Sequence, residues 1–198
     1  LAGRLSPAWT LSLAHAKAAS GQFDLAVADV SLAYEQDSAL KDGYARCAWC
    51  RFWPEKDYAE LIKWMERDQA EGGLSPAWRL NLSLAYSHHG DSEKALELVA
   101  DAYDADASLR DGFSGVAEAY CLPRKLYARA LELCREDIER GRQGDPGKMT
   151  MAITYSWLGS FEKARSLLDG VDAAPSHVWA SIAQSYARSF QWPSSPLP

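Results

Sequence analysis

Apolar residues recur along this chain at helical spacing, in short blocks separated by turn residues. Ala8, Leu11, Ala14 and Ala18 share one face up to Ser20-Gly21, which reads as a stop. Ser6-Pro7 before them fits an N-cap followed by proline at the first helical position. Phe23, Ala26, Val30 and Ala33 then mark a second helix over 23–35. Small residues such as Ala14 and Ala26 let the two helices approach closely, so the pair is expected to form an antiparallel hairpin. The next segment, 39–72, reads as a second hairpin. Its first helix carries Tyr44, Cys47, Trp49, Cys50, Phe52 and Trp53 and stops at Pro54. Its partner is expected over 55–71, with Tyr58, Leu61, Ile62 and Met65 turned inward and Gly72-Gly73 closing the pair.

The plan then starts again. Leu-Ser-Pro-Ala-Trp opens both Leu5–Trp9 and Leu74–Trp78, and the offset of 69 holds without a gap to Tyr44 and Phe113. Seventeen of these forty positions are identical, Gly21/Gly90, Ala26/Ala95, Tyr34/Tyr103 and Asp42/Asp111 among them. A weaker third copy runs from Met151 to Ala164, with Gly159 and Ala164 lying 69 beyond Gly90 and Ala95. A fixed period of this kind is the mark of a solenoid. It predicts helices from Ser75-Pro76 to His88, over 92–105, 108–121 and 124–140, and a loop over 141–147. Asp145-Pro146 is read as cap and first turn of a fifth hairpin, 146–170, with a short second helix. A sixth first-helix is read over 176–192, with Trp192-Pro193 near the place that Trp53-Pro54 and Leu122-Pro123 predict. The hairpins thus fall at about 6–37, 38–73, 74–106, 107–143, 144–172 and 175–192, in a single domain over 1–198. The incomplete last hairpin and the missing initiator Met lead to the expectation of a fragment or processed chain.

These residues resemble the tetratricopeptide repeat. Leu82, Ala85, Tyr86, Gly90, Ala95 and Ala102 follow its pattern. So do Leu13, Ala14, Gly21, Phe23, Ala26 and Ala33 in the first hairpin, and Met151, Ala152, Tyr155, Gly159, Phe161 and Ala164 in the fifth. The even-numbered hairpins match by period only, since Pro54 and Arg124 stand where the loop glycine belongs. The resemblance implies an all-α, right-handed α-solenoid of about five and a half antiparallel helix pairs, a superhelix with a concave groove. It also implies a scaffold or adaptor that holds a peptide or partner-protein segment there. Carried over residue by residue, the groove positions are His15, Trp49, Leu80, Leu84, His88, Glu118, Met149, Ile153, Trp157, Gln184 and Arg188, with Asp42 and Asp111 beside them. Leu84 and Ile153 have a competing reading as packing between hairpins. The family's best-known clamp for a terminal carboxylate needs Lys and Asn where this chain has Leu11, His15, Leu80 and Leu84, with Asn81 a partial match. The expected partner is therefore an apolar or basic segment and not an acidic C-terminal tail.

Composition narrows the classes. Lys plus Arg is 21 against 27 Asp plus Glu, a net charge of −6, which argues against a phosphate-backbone partner. It also argues against RNA recognition by a pentatricopeptide-type array of similar period. No run of 18 apolar residues marks a membrane span, and the first residues lack a signal-peptide pattern. Four cysteines in 198 residues read as free thiols in a reducing compartment, hence a cytoplasmic expectation. Cys47-Ala-Trp-Cys50 has redox-motif spacing, but it falls mid-helix with no strand before it. His88-His89 at a helix end is better explained by the helix dipole than by metal. No catalytic triad order, phosphate loop or zinc-protease motif occurs, so neither catalysis nor a cofactor is expected. Two other expectations stand beside groove binding. One is a helical region that oligomerises a larger enzyme, such as a bacterial glycosyltransferase, or positions its substrate. The other is end-to-end self-association.

Overall fold

A computed structural model describes residues 5–71, 73–169, 171 and 174–189. Among these the chain is all-helical, with eleven α-helices and no strand. Its contacts divide it into two compact units that meet in sequence at Ala107 and Ser108.

The first unit holds α1 (Pro7–Ala19), α2 (Phe23–Gln36), α3 (Gly43–Phe52), α4 (Tyr58–Glu71), α5 (Pro76–His89) and α6 (Ser92–Ala105). Each helix packs on the next one in its hairpin: α1 on α2, α3 on α4 and α5 on α6. Between hairpins, α1 and α2 both touch α3, and α4 touches α5. Small side chains make the close approach workable. Ala14, Ala18, Ala26 and Val30 are buried together with Tyr44 and Cys47. A second cluster joins Ala45, Ala48, Leu61, Ile62 and Met65 to Leu74, Leu82, Ala85 and Leu98. Truncating a fully buried Leu61 or Met65 to alanine costs about 2–5 kcal/mol, because the cavity left behind adds to the lost burial.

The second unit holds α7 (Gly112–Val116), a π-helical turn (Ala117–Cys121), α8 (Tyr127–Glu139), α9 (Asp145–Trp157), α10 (Phe161–Leu168) and α11 (Ser176–Ser189). Here α7 packs on α8 and α9, α8 on α9, α9 on α10 and α11, and α10 on α11. Its core joins Ala152, Ile153, Ala164, Leu168 and Val178.

Several boundaries differ from the sequence reading. Helix α4 starts at Tyr58 rather than at residue 55, and α8 at Tyr127 rather than at 124. In both places a lysine in the left-handed region, Lys56 or Lys125 (each φ 58°), carries the chain round a turn first. Asp57 then ends the first of these turns, its Oδ1 accepting the Glu60 N–H at 3.2 Å. The helix expected over 108–121 begins only at Gly112 and widens into the π turn from Ala117. Asp145 is the first residue of α9 and Gly144 occupies its cap position. Ser6 caps α1 by accepting the Trp9 N–H at 3.4 Å, whereas the equivalent Ser75 makes no side-chain cap. Trp192-Pro193 lies outside the described residues.

Two aspartates take over capping that the local sequence does not supply. The first turn of a helix leaves backbone N–H groups without partners. Asp42, at the cap of α3, is left-handed (φ 64°) and does not cap it. Instead Asp68, fully buried on α4, accepts the Ala45 N–H at 2.8 Å and the Tyr34 hydroxyl. Asp42 turns to the following hairpin and accepts the Ser75 N–H at 2.7 Å. In the second unit Asp137 of α8 accepts the Ser114 N–H and Oγ–H, each at 2.7 Å, and Asp111 accepts the Gly144 N–H at 2.6 Å. Residues 69 apart thus take matching roles: Asp42 and Asp111, Asp68 and Asp137, and likewise the left-handed Lys56 and Lys125. Gly43 allows this tight junction, since a Cβ there would meet Val30 Cγ1 at 2.7 Å.

Candidate functional site

An aromatic cluster forms where the second hairpin meets the third. Trp49 and Trp53 are one turn apart on one face, so their rings stack at 4.0 Å, nearly parallel. Trp78, in the first turn of α5, meets Trp49 edge-on at 5.9 Å. His88, in the last turn of α5, stacks on Tyr58 at 4.9 Å and lies edge-on to Trp53 at 5.3 Å. Trp53 and Tyr58 close the set at 5.6 Å. All five rings are half-buried. Trp49, Trp53, Tyr58 and Trp78 pack on an apolar core beneath, and all five residues stay partly in solvent, the arrangement expected of anchor residues.

The second unit has a smaller counterpart. Tyr127 and Trp157 lie 69 residues beyond Tyr58 and His88, and their rings are parallel at 6.1 Å. The Arg188 guanidinium stands 5.0 Å from the Trp157 ring centre. Met149 is half-buried beside them, packed on the core that contains Ile153. Glu118 is exposed in the π turn and accepts the Thr150 hydroxyl at 3.2 Å. Gln184 is exposed on α11.

The geometry therefore sorts the sequence-derived positions. Trp49 and His88 belong to one aromatic cluster, and Trp157 and Arg188 to another. Leu80 and Leu84 are half-buried on α5, while Ile153 is buried in the core, matching the packing reading weighed for it. His15 is exposed on α1 and lines a cavity of about 240 Å³ with Leu11, Leu40, Lys41 and Arg46. Asp42 and Asp111 accept backbone N–H groups of the loops before α5 and α9, which gives each a structural role at its junction. Trp53, Tyr58 and Trp78 were read from the sequence as helix, inward-facing and repeat residues, and not as groove positions. The signal for Trp53 was its spacing of four from Trp49, and for Trp78 its place in the repeated Leu-Ser-Pro-Ala-Trp.

The thiols are poor candidates for chemistry. Burial pushes Cys47 and Cys134 up to about 12, and it raises Cys50 and Cys121 as well. A nucleophilic or metal-binding cysteine needs the opposite shift. Cys50 Sγ lies 3.2 Å from His15 Nε2, yet its thiol remains raised. Among the described residues no group of three His, Cys, Asp or Glu side chains is placed to hold a metal ion. Among them, too, no helix is long and apolar enough to cross a membrane. Comparison with protein-family models, with curated proteins and with solved structures gave no match.

Proposed function

We propose that this chain is a tetratricopeptide-like α-solenoid that binds a protein segment along its first helices, without catalysis of its own. The solenoid reading is supported by the neighbour-on-neighbour packing within each unit and by the matching aspartates and lysines 69 residues apart. The binding reading rests on one observation, the half-buried cluster of Trp49, Trp53, Tyr58, Trp78 and His88. Such rings supply large, rigid contact area at low entropic cost, which is why a few of them dominate binding energy. The net charge of −6 favours a segment that combines aliphatic and basic side chains. The segment would be a helix or an extended strand of a partner protein, not an acidic tail and not nucleic acid.

The test is selection from a displayed library of random peptides against the full chain, followed by calorimetry. The selected peptides are expected to carry aliphatic residues together with Lys or Arg. A Trp49→Ala/His88→Ala variant that stays helical by circular dichroism is expected to bind them at least about tenfold more weakly. Equal affinity for wild type and variant, or enrichment of acidic C-terminal sequences, would reject the reading.

A further inference from the structure

One tyrosine-lysine pair occurs in both units and is used differently in each. In the second unit the ammonium of Lys163, on α10, stands 5.5 Å from the ring centre of Tyr155 on α9. Tyr86 and Lys94 lie 69 residues earlier, yet Lys94 pairs with Glu97 at 3.0 Å. Ser166 stands at the position equivalent to Glu97 and offers Lys163 no carboxylate. Two further exchanges go the same way, since Glu66 and Asp101 stand where the second unit has Arg135 and Gly170. All three differences make the place around Tyr86 more negative than the place around Tyr155.

In the first unit these carboxylates border a cavity of about 360 Å³ between α4, α5 and α6. Its floor is apolar, made by the buried Leu82 and Leu98. The half-buried Tyr86 forms a wall, and its hydroxyl donates to Glu66, which fixes the ring beside that carboxylate. Glu66 and Asp101 stand at the mouth, both exposed. The cations of α4 and α6 are paired with other carboxylates: Lys63 with Glu60, Arg67 with Glu71 and Lys94 with Glu97.

An apolar floor, an aromatic wall and two carboxylates at the mouth suit a side chain that is aliphatic along its stem and cationic at its tip. A guanidinium fits this set better than an ammonium. It is flat, it stacks on an aromatic ring, and it presents several N–H donors in one plane to carboxylate oxygens. We propose that the α4–α6 pocket is a second recognition site, which takes an arginine side chain of a partner protein against Glu66, Asp101 and Tyr86. Its lining residues are not those of the aromatic cluster, so it stands whether or not a segment binds at that cluster.

Titration of the full chain with blocked arginine (the N-acetyl, N-methylamide derivative) tests this, followed by nuclear magnetic resonance of the Leu82 and Leu98 methyl groups and the Tyr86 ring. These signals are expected to move and to saturate, while those of Tyr155, where Lys163 supplies the cation, stay in place. Blocked citrulline has nearly the same shape without the charge and is expected to leave all of them in place. Blocked lysine is expected to bind at least about threefold more weakly than arginine. Glu66→Gln and Asp101→Asn each remove one charge and keep the side-chain length. Both positions are exposed, so the fold is expected to be kept, and circular dichroism checks it. Each variant is expected to bind blocked arginine at least about fivefold more weakly. Signals that do not move with arginine, equal shifts with citrulline, or equal movement at Tyr155 would each overturn the proposal. So would lysine binding as tight as arginine binding, or unchanged affinity in either variant.

Discussion

Asp68 turns a structural detail into a pH dependence with a definite sign. Its carboxyl is raised from 3.8 to about 6, chiefly because burial disfavours the charged form. The hydrogen bonds from Tyr34 and Ala45 pull the other way, and the nearby negative charges of Asp42 and Glu71 add to the rise. A folded-state value above the unfolded one means that the folded protein prefers the proton. The stabilisation linked to that proton is complete below about 3.8 and is lost as pH rises through about 6. A shift of about two units at roughly 1.4 kcal/mol each makes the loss about 3 kcal/mol by neutral pH. Asp68→Asn keeps an acceptor for the Ala45 N–H and removes the charge. Urea unfolding of wild type and variant between about pH 4.5 and 7.5 is the assay. The variant is expected to gain on the wild type as pH rises, with most of the gain below about pH 6 and little above it. A difference that is flat with pH, or one that moves in favour of the wild type as pH rises, would refute the argument. The second outcome would mean that the bonds from Tyr34 and Ala45 outweigh burial.

Three further outcomes follow from the geometry. Gly43→Ala would place a Cβ 2.7 Å from Val30 Cγ1 and 3.0 Å from Leu11 Cδ2, so chemical denaturation is expected to show a loss of about 1–3 kcal/mol. Lys56→Gly and Lys125→Gly relieve left-handed backbone, and each is expected to stabilise by about 0.5–1 kcal/mol; lower melting temperatures would contradict this. In a thiol-labelling time course at neutral pH, Cys50, half-buried, is expected to react before the buried Cys47 and Cys134, whose thiolates are suppressed. Prior labelling of Cys47 would show that the packing of α3 on α1 and α2 is looser than described.

Much of the helical plan was legible because the same two signals mark it throughout: apolar spacing and punctuation by Gly or Pro. The helix over Ser92–Ala105 was delimited by Gly90-Asp91 before it and by the repeat that starts the next hairpin after it, and the structure has those bounds. Of the expected inward set, Leu61, Ile62 and Met65 are buried as the spacing required, whereas Tyr58 is half-buried in the aromatic cluster. The turns before α4 and α8 were not legible, since Lys56 and Lys125 are neither glycine nor asparagine and carry no sequence mark of a left-handed conformation. The capping aspartates were half legible. Asp68 lies seven residues after Leu61 and three after Met65, on the inward face, but an acidic residue is ordinarily read as solvated. For the candidate site, the resemblance to the tetratricopeptide repeat put Trp49 and His88 among the groove positions but did not show what joins them. Trp53 and Tyr58 lie on either side of the turn after α3, and the distance between them and α5 is set by tertiary packing.

Segment binding at the α3–α5 aromatic cluster is tested most directly by nuclear magnetic resonance of the eight indole N–H groups in the full chain, during titration with a selected peptide. The account predicts that the Trp49, Trp53 and Trp78 signals move together and saturate at one affinity, while those of Trp9 and Trp179 stay in place. Shifts at Trp9 or Trp179 with the cluster unmoved would contradict it and place the recognition surface on α1 or α11 instead.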